Sequence, residues 1–301
     1  MPRSRFIKDT GLTVRMSTVM FLLGGLFVAL IVGMMYLLPN YAPFIALIGI
    51  GIAVWQWWNS DKAAMRAMRA YEVTPEEYPE LHGTIDRLCA LAEMPKPRVG
   101  ISEMDIPNAF ATGRSPDRAV ICVTTGIMGK LTPEELEAVL AHELSHVAHR
   151  DVLVMTVAAS AGIVAGMMAR GAQYGAIFGR SRSREGAIGV VGALVISLVI
   201  YAISFFLLRL LSRYRELCAD RAGAYLTLKP GALASALQKI TGEMAMIPER
   251  DLRASKAMNA FFIAPAISGA TLKTLTSTHP SLEQRLEQLA RIQAELGRPN
   301  G

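Results

Sequence analysis

The chain has 301 residues, 52% hydrophobic and only 19% charged, and its mean hydropathy of +0.33 excludes an ordinary soluble globular domain. A formal net charge of +6 and a pI near 9.3 come without any nucleic-acid-binding signature, so the basic residues read as membrane-flanking charges facing anionic lipid. The three cysteines, Cys89, Cys122 and Cys218, are odd in number and unpatterned, which predicts reduced thiols and a cytoplasmic setting.

In chain order, no charged residue occurs between Arg15 and Asp61, and "PNYAP" breaks this run with a turn. The spacing predicts two transmembrane helices, at about 17–38 and 41–58, forming a hairpin over residues 1–60. The second ends in "WQWW", aromatic residues that favour the membrane–water boundary. No small-residue cleavage site follows the first span and a second comes directly after it, so the segment reads as an anchor and not as a leader. Arg3, Arg5, Lys8 and Arg15 before the hairpin, and Lys62, Arg66 and Arg69 after it, place both its ends in the cytoplasm.

Residues 61–151 are expected to form the first part of a catalytic domain. "NAFATGRSPDRAVICVTTG" reads as two short strands joined by a turn at Ser115, Pro116 and Asp117. "LTPEELEAVLAHELSHVAHRD" opens with Thr132 as N-cap, Pro133 at the first helical position and Glu135 completing a capping box. Leu136, Val139, Leu140, Leu144 and Val147 make an apolar face, and His142 and His146 project beside it with Glu143 between them. This is H-E-x-x-H on a helix, in which two imidazoles hold zinc and the glutamate activates a water. His149 lies about 10 Å along the helix axis from His142, too far to share an ion whose ligand atoms stand within roughly 4 Å of one another. It is expected to be a helix C-terminal cation or a boundary residue.

Two further uncharged runs, about 152–169 and 186–208, make residues 152–208 a second membrane-embedded region. Ala158, Gly162 and Gly166 at four-residue spacing suit close helix packing. The loop between the runs carries Arg170, Arg180, Arg182 and Arg184. That opposes an outside location, so either the positive-inside rule is violated there or these segments do not fully cross.

Residues 209–301 complete the catalytic domain. In "LLSRYRELCADRAGAYL", Glu216 and Asp220 share a helix face. Glu216 is the candidate third zinc ligand, and Asp220 can orient a ligating histidine through its other ring nitrogen. "THPSLEQRLEQLARIQAEL" reads as a helix with Pro280 at its first position and His279 just before it. "MNAFFIAPAISGA" mixes apolar residues with Gly and Pro and reads equally as a flap, a substrate contact surface or simple packing.

"HELSHVAHRD" with "SRYRELCADRAGA" resembles the HtpX-type membrane zinc metalloproteases, which are related more distantly to the CAAX prenyl proteases. The resemblance extends from the hairpin through "NAFATGRSPDRAVICVTTGIM" to "STHPSLEQRLEQL". It implies His142, His146 and Glu216 as ligands of one zinc per chain, Glu143 as catalytic base and Asp220 as the supporting carboxylate. It further implies Asn108 and Ala109 as substrate contacts, His279 as a group that reaches the cleft, and Arg285 as an anchor for its helix.

The expected protein is thus a mainly α-helical integral membrane protein with a zincin-like α+β catalytic domain facing the cytoplasm, in a bacterial inner membrane. By resemblance it hydrolyses misfolded or damaged membrane proteins, with self-cleavage as a further property. An intramembrane-cleaving protease and a non-hydrolytic metal-binding scaffold are the alternative readings; Glu134, Glu135, Glu137, Glu143 and Arg150 make the zinc helix too polar to lie in lipid.

Overall fold

The computed structural model describes residues 9–37, 42–151, 184–246 and 279–297. In chain order its helices are α1 (Thr10–Leu37), α2 (Ala42–Trp58), α3 (Ser60–Ala67), α4 (Pro79–Ala92), α5 (Thr125–Lys130) and α6 (Pro133–Ala148). They continue with α7 (Arg184–Thr227), α8 (Pro230–Met246) and α9 (Leu282–Leu296). The strands are β1 (Ala70–Glu72), β2 (Arg98–Ser102), β3 (Ala109–Thr112) and β4 (Val120–Thr124).

The chain divides into two compact units: Met1–Leu12, Asn59–Leu153 and Ser212–Gly301 form one, and Thr13–Trp58 with Val154–Leu211 the other. In the latter unit, the runs expected at 17–38, 41–58 and 186–208 fall on α1, α2 and α7, apart from residues 38 and 41. Those two residues and the run at 152–169 lie outside the described residues. Among the described residues no helix is long and apolar enough to cross a membrane.

The other unit is built on a four-stranded sheet in the order β1-β2-β4-β3. β4 is central and buried at every position, as its uninterrupted "VICVT" requires. It runs parallel to β2, with Gly100 opposite Cys122, and antiparallel to β3, with Ala109 opposite Val123. The turn between β3 and β4 falls where the sequence places it, as a short 3₁₀ segment at Pro116–Arg118. Gly113 makes that turn possible: its φ of +136° is one that side chains avoid, and a Cβ there would meet Ala119 Cα at 2.6 Å.

The capping box of α6 is present: Glu135 N–H donates to Thr132 Oγ1 at 3.3 Å, and Thr132 N–H donates to Glu135 Oε2 at 2.8 Å. Glu135 also accepts from Ser235 at 2.6 Å and Lys239 at 2.8 Å, which fastens the start of α6 to α8. Beyond that cap α6 is buried on all sides from Ala138 to Val147. Its apolar face joins Ile85, Leu88, Ile121, Ile127, Leu237, Ile240 and Leu289 in one core.

Against α6 lies α7, a continuous helix from Arg184 to Thr227. A Cβ on Gly223 would stand 2.9 Å from the His142 nitrogen and 3.2 Å from its Cα, so the two backbones touch there. α9 starts later than the sequence suggests. Ser281 and not the residue before Pro280 is its N-cap, because Ser281 and Gln284 close a capping box at 3.2 and 3.3 Å.

Arg69, Glu93, Arg150 and Leu228 adopt left-handed backbone (φ 49°, 55°, 57° and 59°), each just past a helix end. That conformation closes a helix but costs about 1–2 kcal/mol without glycine. Leu228 is 49% exposed, so its side chain compensates little. Leu228→Gly is expected to raise stability by about 0.5–1 kcal/mol after the added chain entropy is subtracted, read as a higher urea midpoint. A lower midpoint would mean that leucine packing outweighs the strain.

Candidate metal centre

α6 presents His142 and His146 one turn apart, with ring centroids 4.9 Å apart and ring planes at 88°. α7 brings Glu216 to both: its Oε2 is 3.7 Å from His142 Nε2 and its Oε1 is 3.5 Å from His146 Nε2. One ligand atom from each of the three residues lies within 4.8 Å of the others, and all three residues are buried. His142 Nε2 is itself a buried polar atom without a hydrogen-bond partner among the described residues. An orphan donor or acceptor of this kind is costly unless something else fills the role. Two imidazoles and a carboxylate converging on one point fit a divalent ion, with zinc the best match to that donor set.

Neighbouring charges act on Glu216 and His142 in opposite directions. Burial alone would raise the Glu216 carboxyl, but His279, His142 and His146 hold it well below the usual carboxylate range. Burial pulls the His142 imidazolium the other way, and Asp220 and Glu216 outweigh it, lifting its pKa to about 9. Asp220 Oδ1 is 2.9 Å from His142 Nδ1. Arg285 grips the same carboxylate from behind, donating from Nε at 2.7 Å and from a terminal nitrogen at 2.6 Å.

Glu143 is only 4% exposed. Burial drives its pKa up, with partial relief from His142 and His146 and a hydrogen bond to the backbone of Ala111. That contact runs β3, an edge strand of the sheet, past the carboxylate. Beside His146 a cavity of about 10 Å³, room for one water, is lined by Thr112, Gly113, Arg114, Ser115, Val147 and Arg150 among others.

His279 Nδ1 lies 3.2 Å from Glu216 Oε2, at the site and not out on the helix end. Asn108 and Ala109 are 0% and 1% exposed. Asn108 N–H donates to Thr124 Oγ1 at 2.9 Å, and its carbonyl accepts from Thr124 N–H at 2.9 Å. His149 stands apart from the three-residue cluster: its Nδ1 sits 2.8 Å from the Ser145 carbonyl oxygen. Burial lowers its pKa, which disfavours the charged form that a helix-end cation would need.

Two features of the centre have no counterpart in the sequence reading. Asp151 Oδ2 lies 2.7 Å from His146 Nδ1, and only its position five residues after that histidine hinted at it. Gly223, where α7 touches α6, reads in sequence as one more small residue in a helix.

A helix-borne H-E-x-x-H, a carboxylate from a second helix and an edge strand beside the glutamate define a metallopeptidase. The sequence profile of Peptidase family M48 matches residues 75–293. The chain belongs to that family. It is 52% identical to "Protease HtpX homolog 1" of Streptomyces coelicolor, covering 98% of this chain and 97% of that one. It is also 48% identical to "Protease HtpX homolog" of Moorella thermoacetica, over 98% of each chain. Among solved structures, Ste24p of S. mikatae shares the fold with a TM-score of 0.55 at 18% identity, covering 92% of this chain and 65% of that one.

Two outcomes are expected here. Gly223→Ala should weaken metal binding by about tenfold in chelator competition, because it pushes the Glu216 helix away from His142. Helix propensity alone would make the same change favourable by about 1 kcal/mol, so unchanged affinity would refute the contact argument. Metal affinity should also depend on pH. His142 holds a proton below about pH 9 and must lose it to bind, so affinity should rise about tenfold per unit from pH 6 and flatten near 9. A pH-independent constant measured in metal buffers would remove the competing proton.

Proposed function

We propose that the protein is a membrane-anchored zinc endopeptidase that cuts unfolded or misfolded membrane proteins, with its catalytic part facing the cytoplasm of a bacterial cell. Residues 61–151 and 209–301 would form that catalytic part, with 1–60 and 152–208 as anchoring regions. The observation that carries the reading is the convergence of His142, His146 and Glu216 on one point, with Glu143 buried beside it.

Exposed apolar surface supports the anchor. Of the large hydrophobic side chains described as exposed, all but Tyr71, Leu228 and Met246 lie on α1, α2 and α7, among them Phe21 (81%), Leu47 (69%) and Phe206 (57%). Such patches are rare on proteins whose surface meets only water. The relatives named as HtpX proteases support substrates of protein nature.

Zinc bound by His142, His146 and Glu216 would supply a Lewis acid for the scissile carbonyl and a water of lowered pKa. Glu143 takes the water's proton and returns it to the leaving nitrogen; its raised pKa makes it a stronger base than an exposed carboxylate. An extended substrate pairs with the backbone of β3, which passes Glu143 and binds largely without regard to side chains. In this reading Asn108 and Ala109, the substrate contacts that the resemblance implies, open that strand, and Asn108 is fixed there by its bonds with Thr124. His279, once drawn off Glu216, can donate a hydrogen bond to the carbonyl oxygen as charge develops there. Asp220 keeps His142 oriented, and Arg285 keeps Asp220.

Glu143→Gln should retain about one zinc per chain and lose roughly 10²–10⁴-fold in the rate of casein cleavage. Full-length protein purified in detergent under chelation, then given zinc, provides the measurement. Equal cleavage by both forms would overturn the assignment of Glu143.

A further inference from the structure

The two histidines of the centre are backed in parallel ways by different parts of the chain. Behind His142 stand Asp220 and then Arg285. Behind His146 stand Asp151, 1% exposed, and then Arg215: Asp151 Oδ2 is 2.7 Å from His146 Nδ1 and forms an ion pair with Arg215 Nε at 2.9 Å. A terminal nitrogen of Arg215 also comes within 3.4 Å of the same His146 Nδ1. In sequence, Arg215 immediately precedes the ligand Glu216.

We propose that Asp151 is the positioning residue for His146, and that its pairing with Arg215 forms a clamp that sets both the tautomer of His146 and the placement of Glu216. The inference rests on the metallopeptidase reading above. A histidine that binds metal through Nε2 must carry its proton on Nδ1, and that proton needs an acceptor. Asp151 is an acceptor at hydrogen-bond distance. Arg215 carries donors only. With the carboxylate removed, the guanidinium 3.4 Å away would donate to Nδ1, move the ring proton to Nε2 and close the nitrogen that faces Glu216. Asp151 therefore does two things: it accepts from the ring, and it keeps Arg215 from doing the opposite. Its place after α6, five residues beyond His146, and the place of Arg215 on α7 also make the pair a tie between the two ligand-bearing helices.

The experiment measures zinc dissociation constants by chelator competition on the full chain in detergent, with metal-free thermal stability recorded alongside. Asp151→Ala should bind zinc about 10–100-fold more weakly, while Asp151→Asn, which still accepts from Nδ1, should stay within about tenfold of the native chain. The double variant Asp151→Ala with Arg215→Ala should bind zinc more tightly than Asp151→Ala alone, because the competing donor has gone. A merely structural pair would make zinc affinity follow the metal-free thermal stability of the variants, Asp151→Asn included, and that result, or native affinity in Asp151→Ala, overturns the proposal. Should Asp151→Ala not fold, the double variant is compared with Asp151→Asn: it must bind more weakly, and equal affinity overturns the proposal. Absence of zinc binding by the native chain would instead sink the metallopeptidase reading itself.

Discussion

The centre depends on holding full charges in the interior. Glu143, Asp151, Glu216, Asp220 and Arg285 are each at most 5% exposed. Each ion taken out of water costs several kcal/mol even after relaxation, so such a cluster persists only if opposite signs alternate at short range. They do: Arg285 spans from Asp220 to within 4.0 Å of Glu216, and Arg215 meets Asp151. Glu143 is treated differently. Neighbouring arginines and histidines draw the carboxyls of Asp151, Glu216 and Asp220 below their ordinary range despite burial, whereas burial wins at Glu143. The carboxylate left readiest to take a proton is the one set between the two histidines.

Charge compensation works only at fixed distances, and the helices supply them. α6 is enclosed on all sides from Ala138 to Val147, so its histidines have little freedom to shift. Its start is fastened to α8 through Glu135, and its middle touches α7 through Gly223. A glycine in a helix interior usually costs about 1 kcal/mol relative to alanine. Here the missing Cβ lets Glu216 and Asp220 approach the imidazoles from a second helix, which no residue on α6 itself could do.

What was legible in the sequence was local. The H-E-x-x-H spacing, the Thr132–Glu135 box and the turn at Ser115 to Asp117 each depend on residues within a few positions of one another, and each element lies where the pattern puts it. The exclusion of His149 followed from helix geometry alone, though the lowering of its pKa did not, because burial cannot be read from its neighbours in sequence. Ser281 was missed as a cap because Pro280 offered an equally good local signal, and only the closed box with Gln284 separates them. Asp151 and Gly223 were illegible for a deeper reason. One is defined by an arginine 64 positions away and the other by a backbone contact with a different helix.

α7 brings two opposite rules of burial into one helix. Val191, Val195, Leu198, Tyr201, Phe206 and Leu210 are all at least 45% exposed, at spacings of three to five residues, which puts apolar side chains on the outside. A few residues later, Glu216 and Asp220 are buried and charged. In water throughout, the first stretch would be an aggregation hazard. In lipid throughout, the second would be prohibitively costly, even paired, for a helix exposed on its other faces. The membrane anchor proposed above accounts for both arrangements: apolar side chains turned outward in one stretch, compensated charges buried in the other. Charge returns to α7 at Arg209, and Arg213 and Arg215 follow before Glu216. Arg215, the last of the three, pairs with the buried Asp151 and so belongs to the network that holds the metal ligands.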